Sequence, residues 1–403
     1  GESFLDFLWG LAPAARDFAR SFFKAQKGLC LPAVMSIDGV ALGGWPMYTL
    51  VPTNQLWLCQ AFERHYRFSG DETFLRDRVY PYLKESAECL LELLETDEKG
   101  YYRLPVSSSP EIHNDTPESW VTPNSNYDLS LMIYLFRQLL RFSKIVCPED
   151  EARWRAVLKK LPELAVNEQK VLMLSPDESL LESHRHFAHA MAIHPLRLLS
   201  PDDPAEREII DATVLDLEVL GTGQWVGFSY TWFAELFAMQ RNGEGAAYQL
   251  RLFWENFCSQ NGFNLNGDYK CRGLSMYHYR PFTLEANLCA ADALQEMLLK
   301  TEDNLIELFP AVPDAWKEES VGFEDLRGER GILISAEMEA GRVGSVVLKP
   351  QFTGDYRMVN PFDKQALCAD LPCKIHREEE VYTLSLEAGR VYTLTACVAS
   401  NEK

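Results

Sequence analysis

Phe68-Ser69-Gly70-Asp71 reverses the chain, and residues 72–94 that follow place Phe74, Val79, Leu83, Ala87, Leu90, Leu91 and Leu94 at helical spacing. Such spacing gives one apolar stripe along a helix. Residues 53–66 on the other side of the turn read as a helix too, so this stretch is an α-hairpin. Ahead of it lie a glycine-rich loop (Gly39, Gly43, Gly44) and residues 4–23, where Pro13 separates two short helices.

The same pattern continues with no strand in between. Helices are expected near 127–145, 149–164, 186–199, 205–220, 225–240, 244–258 and 284–299. About ten helices joined by turns and polar loops suggest pairs packed in layers or closed into a ring. After Trp316 the period changes to two: 332–338 and 343–348 flank Ala340-Gly341 as a hairpin, and 382–386 and 391–396 flank Ala388-Gly389 as another. The expected division is a helical domain over 1–317 and a small antiparallel β-sandwich-like domain over 318–403.

The chain has 403 residues, 47% of them hydrophobic, enough for a large core. Its 39 basic and 59 acidic residues give a net charge of −20, which repels a phosphate backbone and anionic lipid, so neither nucleic acid nor membrane is an expected partner. The ten cysteines contain no CxxC pair, and Cys59, Cys89 and Cys289 fall in apolar helical patterns. They read as buried thiols and favour a reducing, cytoplasmic location, or a secreted or periplasmic one if a leader has been removed.

Three stretches carry candidate chemistry. In Ser107-Ser108-Ser109-Pro110-Glu111, Pro110 fixes its own φ and pushes Ser109 towards extended backbone, so Glu111 stands at a set angle off any helix. That suits a general acid, and 112–126 behind it reads as a long polar loop; the plain alternative is a solvated carboxylate after a proline turn. Ser183-His184-Arg185-His186-Phe187-Ala188-His189 concentrates imidazoles. Hydrogen-bond recognition of a neutral polyol by Arg185 and His186 is favoured over a metal, because Arg185 would set a fixed charge beside the ion and no HExxH spacing exists. Tyr277-His278-Tyr279-Arg280-Pro281-Phe282-Thr283-Leu284-Glu285-Ala286-Asn287 delivers a second carboxylate at a helix start, where a glutamate also serves the helix dipole. Trp45, Trp120, Trp225 and Trp232 are candidates for stacking on sugar faces.

Taken in order, Trp45-Pro46-Met47, Trp57-Leu58-Cys59-Gln60, His65-Tyr66, Ser69-Gly70-Asp71, Tyr80-Pro81, Ser108-Ser109-Pro110-Glu111, His184-Arg185-His186 with His189, Phe282-Thr283-Leu284-Glu285-Ala286-Asn287 and Leu308-Phe309-Pro310-Ala311-Val312-Pro313 resemble glycoside hydrolase family 95, the inverting α-L-fucosidases and α-L-galactosidases. The resemblance implies an (α/α)6 toroid followed by a β domain. It implies Glu111 as general acid and Glu285 in the base system, with a glutamate where the family has an aspartate, and Tyr279 beside His278 where the family has a histidine. It makes Arg185 and His186 sugar-binding residues, with Asp38, Trp45, His278, Tyr279 and Asn287 as further candidate contacts. The family's asparagine pair that orients the base belongs upstream of Gly1, so an upstream segment of the same gene product is an expected partner. The expected substrate is an oligosaccharide or glycan carrying a terminal α-L-fucosyl or related L-sugar, with no cofactor and no metal, since two carboxylates suffice for acetal hydrolysis. A carbohydrate-binding toroid without turnover, and a lyase or epimerase on the same fold, are the alternatives. Glu111, Arg185, His186 and Glu285 are expected to meet in one cavity.

Overall fold

The computed structural model describes residues 1–397. The chain forms two compact units, Gly1–Tyr66 with Asp71–Gly223, and Arg67–Gly70 with Gln224 onward.

In the first unit the helix Asn54–Ser69 is answered by Tyr80–Leu93. Their apolar stripes meet through stacked rings, Phe62 on Tyr82 at 4.1 Å. Asp71 starts the return by accepting from the Thr73 and Phe74 amides, at 2.8 and 3.0 Å, which satisfies two donors that a helix start leaves open. The return opens into a wider π-helical turn at Leu75–Val79, immediately before Pro81, whose ring removes the hydrogen bond of a regular turn. Against this hairpin packs the long helix Asn126–Val146, which buries Leu131, Met132, Leu135, Phe136, Leu139 and Phe142. The helices Glu151–Leu158 and Pro204–Leu220 complete the expected set here.

The helix expected over 186–199 is replaced by a short 3-10 turn, Ala188–Ala192. Pro195 lacks an amide proton and disfavours helical backbone at His194, so the apolar run cannot propagate. His186 therefore precedes the turn and does not share a helix face with His189.

The second unit holds Gly227–Met239, Gly243–Asn256 and Glu285–Leu298. Gly243 is required by close approach: a Cβ there would stand 2.3 Å from the Val312 carbonyl carbon. Two five-stranded sheets follow, and they share one core that includes Ile306, Ile334, Val346, Leu348, Met358, Leu384 and Leu394. One sheet runs Lys374–Glu378, Val381–Leu386, Gly354–Val359, Leu305–Leu308, Leu299–Glu302; the other runs Ser320–Arg327, Leu333–Glu339, Arg342–Lys349, Tyr392–Ala396, Leu367–Ala369. The pairing is antiparallel except where Leu305–Leu308 lies parallel to Gly354–Val359. A short strand pair, Glu95–Thr96 with Tyr102–Arg103, interrupts the run expected to hold helices alone, and the larger sheets begin at Leu299, ahead of the change of period at Trp316, because a strand pair directly follows the helix Glu285–Leu298.

The hairpin expected around Ala340-Gly341 forms as read. The one expected around Ala388-Gly389 does not: Val381–Leu386 pairs with Gly354–Val359 and Lys374–Glu378, whereas Tyr392–Ala396 pairs with Arg342–Lys349 and Leu367–Ala369. The Ala388-Gly389 turn crosses from one sheet to the other, and alternation alone does not say which sheet a strand joins. The reading of all ten cysteines as thiols is also corrected, since Cys368 and Cys397 form a disulfide. Cys368 lies in the strand that pairs with Tyr392–Ala396, which Cys397 directly follows, and this brings the two Cα atoms to 5.1 Å, within bridging range. Among the described residues no helix is long and apolar enough to cross a membrane.

Candidate active site

Glu111 occupies the third position of a tight turn, closed by the Ile112 amide on the Ser109 carbonyl at 3.2 Å. Pro110 sits at the second position and Glu111 has φ 59, the pattern of a type II turn. That position ordinarily takes glycine, and a glutamate held there stores strain of roughly 1–3 kcal/mol. The turn aims a half-buried carboxylate at three side chains of the first unit.

Tyr48 Oη donates to Glu111 Oε1 at 3.2 Å, from the short helix Pro46–Thr49. Met47 Sδ in the same helix receives the Glu111 amide at 3.1 Å. Arg185 forms an ion pair with Glu111 Oε2, and His186 Nε2 lies 3.3 Å from that oxygen. His184 Nε2 reaches the Glu111 carbonyl at 3.2 Å, and its Nδ1 takes the His186 amide at 3.1 Å. Because that amide donates to Nδ1, the His184 proton sits on Nε2 and points at Glu111.

Burial, then the neighbouring His186, pushes His184 down to about 4; burial, then Arg185, does the same to His186. Both are neutral donors at neutral pH. Burial raises the Tyr48 phenol, and Arg185 opposes that shift. One half-buried carboxylate thus faces a phenol, a guanidinium and a neutral imidazole, a set able to hold sugar hydroxyls and pass a proton.

Sequence reasoning missed Tyr48, Met47 and the role of His184. Tyr48 had one available signal: it follows the Trp45-Pro46-Met47 run, with Pro46 opening a helix that fixes its direction.

The remaining candidates are placed as follows. Asp38 is exposed in a turn, where Ser36 donates to its carboxylate and lowers its pKa. Trp45 begins the Tyr48 helix and is 36% exposed. An open cavity of about 720 Å³ in the first unit is lined by Tyr48 together with Phe4, Phe7, Trp57, Gln60 and Arg64. Trp225 and Trp232 are core residues, 2% and 5% exposed, and so are not stacking platforms.

The second unit holds Glu285, His278, Tyr279 and Asn287. Glu285 is exposed in the first turn of Glu285–Leu298. His278 and Tyr279 are also exposed, with His278 Nδ1 3.1 Å from the Asp268 carbonyl. Asn287 uses its amide to hold the preceding loop, accepting from the Asn264 amide at 2.9 Å and donating to the Gly262 carbonyl at 2.8 Å.

Residues 1–298 match the Glycosyl hydrolase family 95 catalytic domain, and the chain belongs to that family. It is 25% identical over 310 residues to Alpha-L-fucosidase 2 of Arabidopsis thaliana, covering 74% of this chain and 36% of that protein. It is 23% identical over 377 residues to an Aspergillus niger protein named "Probable alpha-fucosidase A", covering 84% of this chain and 46% of that protein. The chain therefore spans between a third and a half of the length of these relatives. A structure from the human microbiome described as a kojibiose phosphorylase superposes with a TM-score of 0.55 at 11% identity, over 88% of this chain and 54% of that one, a likeness of fold alone.

Proposed function

We propose that the chain is the catalytic portion of an inverting glycoside hydrolase that removes a terminal α-L-fucosyl or related L-sugar residue from an oligo- or polysaccharide. Glu111 acts as general acid and protonates the leaving oxygen. Glu285 acts as the base, or as partner to the base, on the water that attacks the opposite face. Inversion calls for carboxyl groups ~6.5–9.5 Å apart, so that a water fits between one of them and the sugar. Arg185 and His186 hold the glycone, Tyr48 and His184 fix the acid, and Asp38, Trp45, His278 and Tyr279 serve as further contacts. Asn287 shapes the loop beside Glu285. The catalytic domain takes residues 1–317 and the β domain residues 318–403, to whose first-named sheet the strands Leu299–Glu302 and Leu305–Leu308 are added.

The observation that carries this reading is the convergence of Tyr48, Arg185 and His186 on the Glu111 carboxylate. Family membership and the two fucosidase-named relatives support the sugar class. The upstream segment called for by the family pattern belongs to the reading as the source of the base-orienting asparagines. Glutamate reaches about 1.5 Å further than aspartate along its chain, and placement errors of ~1 Å cost about a hundredfold. Weak turnover by the 403 residues alone, rising when that segment is supplied, is the expected behaviour.

Hydrolysis of an aryl α-L-fucoside followed by proton NMR tests the reading. The first-formed sugar has the inverted anomeric configuration; a retained anomer contradicts it. One observation favours a second reading, a sugar-binding toroid without turnover: Oε2 of Glu111 is already engaged in an ion pair with Arg185. Calorimetric binding of L-fucose with no hydrolysis, even with the upstream segment present, would decide for it.

A further inference from the structure

Asp128 is fully buried in the first turn of Asn126–Val146, and no charged group neutralises it. A carboxyl in such a place needs hydrogen-bond donors, and it has them from three separate parts of the chain. Thr53 Oγ1 donates to Oδ1, and Ser107 Oγ donates to Oδ2. Ser125 Oγ lies 3.0 Å and the Ser108 amide 3.4 Å from Oδ2. The lacing continues through Ser125, whose amide donates to Ser107 Oγ and whose hydroxyl donates to the Ser108 carbonyl, both at 2.8 Å.

Thr53, Ser107 and Ser108 each lie close in sequence to Glu111 or to a residue that touches it. Ser107 and Ser108 enter the strained turn that carries Glu111 itself. Thr53 closes the segment that begins with Pro46–Thr49, which supplies Met47 and Tyr48 to the same glutamate. Ser108 Oγ also reaches the Met47 carbonyl at 3.4 Å, so the two segments are tied directly as well as through Asp128.

We propose that Asp128 is a positioning residue for the acid: its buried carboxylate pins the Ser107–Ser108 approach and the Thr53 end of the Tyr48 segment, and so fixes Glu111 in register with Tyr48. This rests on the reading of Glu111 as general acid. The helix already has its cap, since Ser125 Oγ accepts the Asp128 amide at 3.1 Å. A carboxyl whose only task was capping would not be buried with three hydroxyls around it. Burial pushes Asp128 up to about 6 against the pull of those hydroxyls.

The test compares Glu111→Gln, Asp128→Asn and the pair on an unactivated alkyl α-L-fucoside and an activated nitrophenyl α-L-fucoside. Asparagine keeps the shape but puts an NH2 in place of one carboxylate oxygen, so either Thr53 or Ser107 loses the acceptor of its hydroxyl. Asp128→Asn is expected to melt cooperatively, with kcat on the alkyl substrate lowered about 10- to 100-fold and KM within about threefold, and to add nothing when Glu111 is already Gln. Should Asp128→Asn not fold, Ser107→Ala and Thr53→Val each cut one tether and are expected to give a smaller loss that likewise vanishes beside Glu111→Gln. Should turnover be too slow to measure, the 13C signal of the Glu111 carboxyl, identified by its disappearance in Glu111→Gln, is expected to move in Asp128→Asn. Losses that add in the double variant, a wild-type kcat in Asp128→Asn, or an unmoved Glu111 signal would overturn the proposal while leaving Glu111 as the acid. Unimpaired turnover by Glu111→Gln would overturn both.

Discussion

Arg185 closes on Glu111 Oε2 from the stretch between His184 and His186, while His186 Nε2 sits 3.3 Å from the same oxygen. A fixed positive charge and a neutral imidazole therefore share one carboxylate oxygen, leaving Oε1 to Tyr48. Substrate hydroxyls that draw Arg185 away would free Oε2 to face the leaving oxygen.

Arg185→Gln removes that charge. KM is expected to rise roughly 10-fold or more as a charged sugar contact is lost. An unchanged KM would mean that Arg185 does not hold the sugar.

Tyr48→Phe deletes one hydrogen bond to a charged group, worth about 1.5–3 kcal/mol. Turnover on unactivated substrates is expected to fall roughly 10-fold or more while folding stability falls by no more than about 3 kcal/mol. Equal activity in the phenylalanine variant would remove Tyr48 from the site.

His184 and His189 are buried, each lowered to about 4 by burial above all, and neither His189 ring nitrogen meets a hydrogen-bond partner. The neutral form is the folded form, so their stabilisation is fully present above the ordinary value near 6.5 and is lost as pH falls through about 4. Asp128 runs the other way: raised to about 6, it contributes most below its ordinary 3.8 and loses that contribution as pH rises through 6. The two histidines, at up to about 3 kcal/mol each, outweigh the one aspartate. The melting temperature is expected to fall between pH 6.5 and 4, less steeply in His189→Gln. An unchanged slope in that variant would contradict the assignment.

Gly28 has φ +80, and a Cβ there would stand 2.2 Å from the Glu85 carbonyl oxygen and 2.4 Å from the Cys89 amide nitrogen. Both are backbone atoms of the helix Tyr80–Leu93, which cannot yield as a side chain would. Gly28→Ala is expected to cost more than about 2 kcal/mol by denaturant melts. A loss below about 0.5 kcal/mol would mean the loop moves aside freely.

The helical architecture was legible because helices announce themselves locally: Phe74, Val79, Leu83 and Leu90 state a face without reference to anything distant. Residues 186–199 misled because their apolar content outran Pro195. The crossing at Ala388-Gly389 was hidden because the choice of sheet is made by partners such as Val346 and Met358, far away in sequence. Glu111 stood out through Pro110, a neighbour that sets its backbone. Tyr48 lies 63 positions away from it, and Pro46 sets the direction of its helix without naming the partner of its hydroxyl. Asp128 carried a visible signal, Ser125-Asn126-Tyr127-Asp128, but the pattern reads as a helix cap. Only the fold adds Thr53 and Ser107.

The central claim is that Glu111 is the general acid, and the most direct measurement is the leaving-group dependence of Glu111→Gln. An amide keeps the shape and cannot give up a proton to the leaving oxygen. On an alkyl α-L-fucoside, whose leaving group needs protonation, turnover is expected to fall about 10²–10⁴-fold, and on an activated nitrophenyl α-L-fucoside far less. Equal losses on the two substrates would contradict the account.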